Sequence, residues 1–217
     1  MASWRQATNL VALDLEGSGP QDGAQEAILE IAAVRLVDGH PDQTTAYTTR
    51  IDPGRPIPAR PWISPGLAGR VPAGTPTIET VGPALADRLA GAYLIGHNVT
   101  VDWRLLHRRC PHITITGLID THRLARAVRR SGKHSLASLI TDHQLTDKVA
   151  AKAPSSQPHR ALWDTIAAAL LLNALIQQHW TAEPSLPELL TVASPPTAEH
   201  PEEPATLFNP LPTQSAR

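Results

Sequence analysis

The sequence is poor in the residues that staple, stack or span. A single cysteine, Cys110, has no partner for an intrachain disulfide, and one thiolate is too few for a cysteine-built zinc site. That scarcity points to an intracellular, cytoplasmic protein. Charged residues are only 18% of the chain and the formal net charge is −1, which excludes a histone-like or broadly basic coat. A local patch of one sign stays possible. Long apolar runs are missing too. The longest lies in Ile166 to Ile176 and is broken by Asn173, far short of the ~20 residues of a spanning helix, so no membrane association is expected. The opening residues, Met1-Ala2-Ser3-Trp4-Arg5-Gln6, lack the charged-then-apolar pattern of a secretory signal. There is no internal repeat.

What remains is a chain of 217 residues, 41% apolar, enough for one domain with a modest extension. Residues 1–180 read as that domain. Residues 181–217 carry eight prolines, five Glu and one Arg, and read as a proline-rich, acidic, disordered tail. Its segment Leu207-Phe208-Asn209-Pro210-Leu211-Pro212 holds the one phenylalanine and reads as solvated tail with chance hydrophobes ahead of a docking motif for a partner. Charge of the opposite sign collects earlier: residues 103–140 hold eight Lys/Arg against one acid, Asp120. Such a stretch is either a solvated helix face or a phosphate contact.

The body reads as strands first and helices later. Apolar strand patterns at Leu10–Leu13, Ala27–Val37 and Thr44–Ile51, joined by short turns, predict an antiparallel meander. A Pro/Gly-rich excursion from Asp52 to Pro76 is long for a compact domain, which hints at function or at short helical turns. Helical spacing follows at Thr77–Ala90, then a strand at Ala92–Gly96, a helix over Val99–Arg109 with Asn98 as N-cap, and a strand over Ile113–Ile119. Three further helices are predicted at 121–130, 135–144 and 160–179. The order predicts an α/β fold with a mixed, five-stranded sheet flanked by helices.

Acids fall at telling places in this frame. Asp14 and Glu16 end the first strand, and at strand period residues i and i+2 share a face. Two adjacent carboxylates repel unless a cation lies between them, and hard oxygen donors suit a divalent ion. Asp102 falls on the second turn of the helix after Gly96-His97-Asn98. Asp164 opens the long late helix, with His159 five residues before it in the entering loop. Each of these residues alone has a bland reading as a surface acid or a surface histidine.

As an ordered set they resemble the three motifs of the DEDDh family, the DnaQ-like 3′–5′ exonucleases related to polymerase proofreading subunits. The motifs are Asp14-Leu15-Glu16, Gly96-His97-Asn98 with Asp102, and His159 with Asp164. Intervening segments match as well: Ile28-Leu29-Glu30-Ile31-Ala32-Ala33-Val34, Asp52-Pro53-Gly54-Arg55-Pro56-Ile57-Pro58, Leu118-Ile119-Asp120-Thr121 and Ser135-Leu136-Ala137-Ser138-Leu139. The resemblance covers about residues 9–178. It implies an RNase H-like fold and two divalent ions, Mg²⁺ or Mn²⁺, held by Asp14, Glu16, Asp102 and Asp164. It also implies His159 as general base, a role that histidine's acid–base range near neutrality suits. Gly17 stands where the family often has a bulky residue and Val101 where an aromatic is common, but all four carboxylates are present, so a live enzyme is expected.

On this reading Gly17, Ser18, His97, Asn98, Trp62, Arg104 and Arg108 are the candidate nucleic-acid contacts, Trp62 as a stacking surface and the arginines along the phosphate backbone. The expected partners are DNA or RNA 3′ ends, with DNA the leading substrate. A polymerase or other protein could be held through the proline-rich tail, in which case the chain would be an adaptor active only with that partner.

Overall fold

The computed structural model describes residues 3–196 apart from Thr8. The central strand, β1 (Leu10–Gly17), pairs antiparallel with β2 (Ile28–Val37). On its other edge it pairs parallel with β5 (Tyr93–Gly96), which pairs parallel with β6 (Gly117–Asp120). The outer edge of β2 is shared end to end by β3 (His40–Pro41) and β4 (Tyr47–Arg50), both antiparallel to it. The sheet is therefore mixed and five strand positions wide, as the apolar patterns predict. The seven helices among the described residues are α1 (Ile78–Leu89), α2 (Val99–Arg109), α3 (Thr121–Val128), α4 (Leu136–Asp142), α5 (Thr146–Lys152), α6 (Ala161–His179) and α7 (Leu186–Ala193).

Two apolar layers cover the two faces of the sheet. Leu10 and Ala12 join Val34, Leu36, Ile95 and Ile119 in a core filled by α6 and completed by α3, α4, α5 and α7. Val11, Leu13 and Leu15 join Ile31 and Ala33 against α1 and α2 on the other face. Burial on both faces explains why β1 and β2 read as continuous apolar runs. It also explains α6, which is apolar nearly all round because it lies between β1, β2 and the neighbouring helices. The alternation has a consequence for the site: Asp14 and Glu16 continue the parity of Leu10 and Ala12, so they emerge on the α6 face.

Four expectations need correction. The strand expected over 113–119 is confined to 117–120, and the one over 44–51 to 47–50, with a turn of 3-10 helix at Gln43–Thr45. The 52–76 excursion contains turns and no helix. It closes on itself through the mutual hydrogen bonds of Ile57 and Gly69 (3.0 and 2.7 Å) and a small core of Ile57, Ile63 and Leu67 on Leu29. The segment expected to be disordered from 181 is, in its first part, helix α7, whose Leu189 and Ala193 are fully buried. Ser185 and Glu188 form a reciprocal capping box, and Pro187 sits in the first turn, where it has no intrahelical donor to lose. The segment 207–212 lies outside the described residues.

Candidate active site

Strand pairing and helix placement assemble the acids. Because Asp14 and Glu16 share the α6 face, the first turn of α6 brings Asp164 to them. One ligand atom of each lies within 4.8 Å of the other two, and all three residues are half-buried. Asp102 reaches the group from the other layer. β5 pairs with β1 only over Leu10–Ala12, so the β1 edge beyond Leu13 is open on that side. Helix α2 starts in this gap, and the buried Asp102 accepts a hydrogen bond from the Leu15 N–H (3.2 Å). Asp102 thus ties off the backbone between the two β1 acids and stands beside the three-carboxylate group.

The electrostatics show a site short of positive charge. Burial pushes the Asp14 carboxyl well above its usual range, and Asp102, Asp164 and Glu16 push it further. Burial likewise raises Asp102. Asp164 is pushed up to about 7 by burial and by Glu16, against a pull from the His159 backbone N–H. Glu16 is raised by burial, opposed by the hydrogen bond it accepts from the Ser64 hydroxyl. Hard oxygen donors converging in a half-buried mouth, each disfavouring ionisation of the next, fit a divalent cation.

Glu30 completes the wall. It sits directly across from Glu16 in the β1–β2 register, so two acids are paired side by side. Arg160 eases the clash without removing it by binding Glu30 with both Nε (2.9 Å) and Nη2, while the Ala161 N–H adds a third bond (3.0 Å). Burial alone would raise Glu30, but these donors hold it below its usual range. The pair anchors the residue between His159 and α6. His159 itself sits on an exposed turn with φ of 64°, its charge felt by Glu16 and its N–H by Asp164.

The predicted nucleic-acid contacts divide. Trp62 is 49% exposed beside the turn after β1, its indole Nε1 donating to the Ser18 carbonyl (3.3 Å). Gly17 ends β1, where a Cβ would meet Leu105 Cδ2 at 3.0 Å. Asn98 is exposed and takes the N-cap position of α2 in the left-handed region, with no side-chain cap; its own N–H donates to Asp120 (2.8 Å). Arg104 is exposed. Three side chains are committed to the fold instead. Ser18 is fully buried and its hydroxyl accepts from the Ala27 N–H (3.0 Å). His97 donates from Nε2 to the His134 carbonyl (2.8 Å), and its Nδ1 lies 3.0 Å from the Thr121 hydroxyl. Arg108 pairs with the buried Glu26, and its neighbour Arg109 binds the carbonyls of Glu26 and Ala24, so both clamp the 18–26 turn onto α2. The sequence reading missed Ser64, Glu30 and Arg160. A glutamate inside the apolar run Ile28–Val34 was the available signal, since a buried acid needs a cation or donors.

Fold and site define an α/β protein with a carboxylate cluster able to hold a cation at the carboxyl end of its central strand. The RNase T exonuclease family model matches residues 11–172. Over 165 residues the chain is 32% identical to a DNA polymerase III subunit epsilon-like protein of Rhodobacter capsulatus, covering 73% of this chain and 22% of that protein. It is 25% identical over 173 residues to the 3′–5′ exonuclease DinG of Bacillus subtilis, covering 77% of this chain and 18% of that one. The chain thus spans about a fifth of the length of these curated relatives. A solved structure of exonuclease X in complex with 5′-overhanging duplex DNA superposes with a TM-score of 0.56 at 28% identity, covering 80% of this chain and 95% of that one. The chain belongs to the DnaQ-like 3′–5′ exonuclease family. Its fold is the RNase H-like fold. No helix among the described residues is long and apolar enough to cross a membrane.

Proposed function

We propose that the chain removes nucleotides one at a time from the 3′ end of DNA, releasing nucleoside 5′-monophosphates. The observation that carries this reading is the convergence of Asp14, Glu16 and Asp164 within 4.8 Å, with Asp102 at the open edge of β1. Two divalent ions, Mg²⁺ or Mn²⁺, would when bound activate the attacking water and neutralise charge on the leaving oxygen. Asp14, Glu16, Asp102 and Asp164 would hold them, and four carboxylates would balance two such ions before the phosphate arrives.

The chain's own groups do the rest. His159, exposed beside Glu16 and Asp164, takes the proton of the attacking water as the new oxygen–phosphorus bond forms and the bond to the upstream O3′ breaks. The Glu30–Arg160 pair holds the His159 turn against β2. Trp62 stacks on the terminal base, Gly17 and Asn98 border its path, and Arg104 meets the backbone upstream. DNA is favoured over RNA by the relatives, among them a DNA polymerase III epsilon-like protein and an exonuclease solved on duplex DNA. A polymerase partner stays within the proposal, with the proline-rich residues 181–217 as the tether.

The test uses DNA and RNA of matched sequence, labelled at the 5′ end or at the 3′-terminal nucleotide. The proposal expects a shortening ladder from the 5′ label, immediate mononucleotide from the 3′ label, and faster loss of DNA. Faster loss of RNA would make the chain an exoribonuclease. Cleavage only after a polymerase is added would make it a partner-dependent module.

A further inference from the structure

Outside the carboxylates, one buried hydroxyl touches the site. Ser64 is 7% exposed, and its Oγ donates to Glu16 Oε2. It comes from the 52–76 excursion, not from the sheet or the helices. That segment is fastened at several points. Ile57, Ile63 and Leu67 pack on Leu29 of β2. Trp62 bonds the Ser18 carbonyl, and Arg60 lies over the Trp62 ring at 5.6 Å. Arg55 and Arg60 both bind Asp22 in the turn after β1 (2.6 and 2.7 Å), and Arg60, Ser18 and Arg55 hold the Asp22 carboxyl well below its usual range. The segment is thus clipped to the β1–β2 turn, and Ser64 is delivered onto Glu16 from a fixed direction.

A carboxylate at the end of a strand rotates freely about its last bond unless something holds it. Glu16 also faces Glu30 across the β1–β2 register, which favours swinging its oxygens away. A hydroxyl that donates to one oxygen opposes both motions and leaves the other oxygen for a cation. Hydrogen bonds from outside the ligand set orient ligands, and their loss typically costs 10–100-fold in metal affinity.

We propose that Ser64 is a positioning residue that orients Glu16 for divalent-metal binding, and that the Asp22 clamp holds Ser64 in place to do so. The proposal rests on the metal-dependent reading of the same carboxylates. It adds a determinant of metal affinity from a part of the chain that supplies no ligand.

The experiment is calorimetric titration of the full chain with Mn²⁺, alongside Ser64→Ala, Ser64→Thr and Asp22→Ala, each checked for folding by its circular dichroism spectrum. Ser64→Ala is expected to weaken Mn²⁺ binding by about tenfold. Ser64→Thr, which keeps the hydroxyl, restores it to near the parent value. Asp22→Ala, which touches no site carboxylate, weakens it in the same direction by releasing the segment. Turnover of Ser64→Ala recovers at saturating Mn²⁺, which a general loss of structure would not allow. Unchanged affinity in a folded Ser64→Ala, or equal loss in Ser64→Thr, would overturn the inference while leaving the nuclease reading intact. A parent protein that binds no Mn²⁺ would overturn both.

Discussion

Replacing Asp164 by Asn should stabilise the metal-free protein above neutral pH while destroying its capacity for metal. Asp164 is pushed up to about 7, from an ordinary 3.8, by burial and by the Glu16 charge. The folded state therefore binds a proton that the unfolded chain releases, so stability falls as pH rises from about 4 to about 7. At about 1.4 kcal/mol per tenfold in the ionisation constant, that interval sets a ceiling of about 4 kcal/mol on the cost of ionised Asp164 at pH 8. Asp14, Glu16 and Asp164 share the repulsion, so relief at one site is partial, and about 2 kcal/mol is the working figure. For a domain of this size that is a rise of about 4–8 °C in Tm.

The assay is thermal unfolding with chelator at pH 5 and pH 8. Asp164→Asn should exceed the parent at pH 8 and by less than about half as much at pH 5, where Asp164 is protonated in the folded state and only ionisation of the unfolded chain still counts against the parent. Added Mn²⁺ should reverse the order at pH 8, because the parent gains the binding free energy. A variant less stable than the parent at pH 8, or an advantage equal at both pH values, would refute the repulsion argument.

Two further outcomes follow from named contacts. Arg160→Ala leaves Glu30 buried and unpaired across from Glu16, so chemical denaturation should report a loss of about 3 kcal/mol, and turnover should fall because the His159 turn loses its anchor. Trp62→Ala removes an exposed ring beside the β1 turn, and steady-state kinetics should show KM for DNA rising by about tenfold with kcat less affected. An unchanged KM would remove Trp62 from the substrate path.

Much of this fold was legible because its core strands are covered on both faces and its turns are short. The runs at Leu10 and Ile28, the apolar α6 pattern and the Asp14–Glu16 spacing each state their own structure locally. The parts that escaped depend on contacts remote in sequence. Arg108 reads as a free cation until Glu26 is seen beneath it, and Ser18 as a substrate contact until its hydroxyl is seen bonded to Ala27. Ser64 meets Glu16 across 48 positions, and Arg160 meets Glu30 across 130, separations that no local pattern encodes. Helix α7 is a different case. Ser185 and Glu188 stand at capping-box spacing and Pro187 falls where a helix tolerates one, so a proline-dense stretch can still open with a helix.

The central claim is that the carboxylates of β1, α2 and α6 drive metal-dependent removal of the 3′-terminal nucleotide. The direct measurement is release of mononucleotide from 3′-end-labelled DNA by the parent and by Asp14→Ala, with Mn²⁺ and with chelator. The account predicts release by the parent with Mn²⁺, none with chelator, and none from a folded Asp14→Ala under either condition. Undiminished release by Asp14→Ala, or by the parent in chelator, would contradict it.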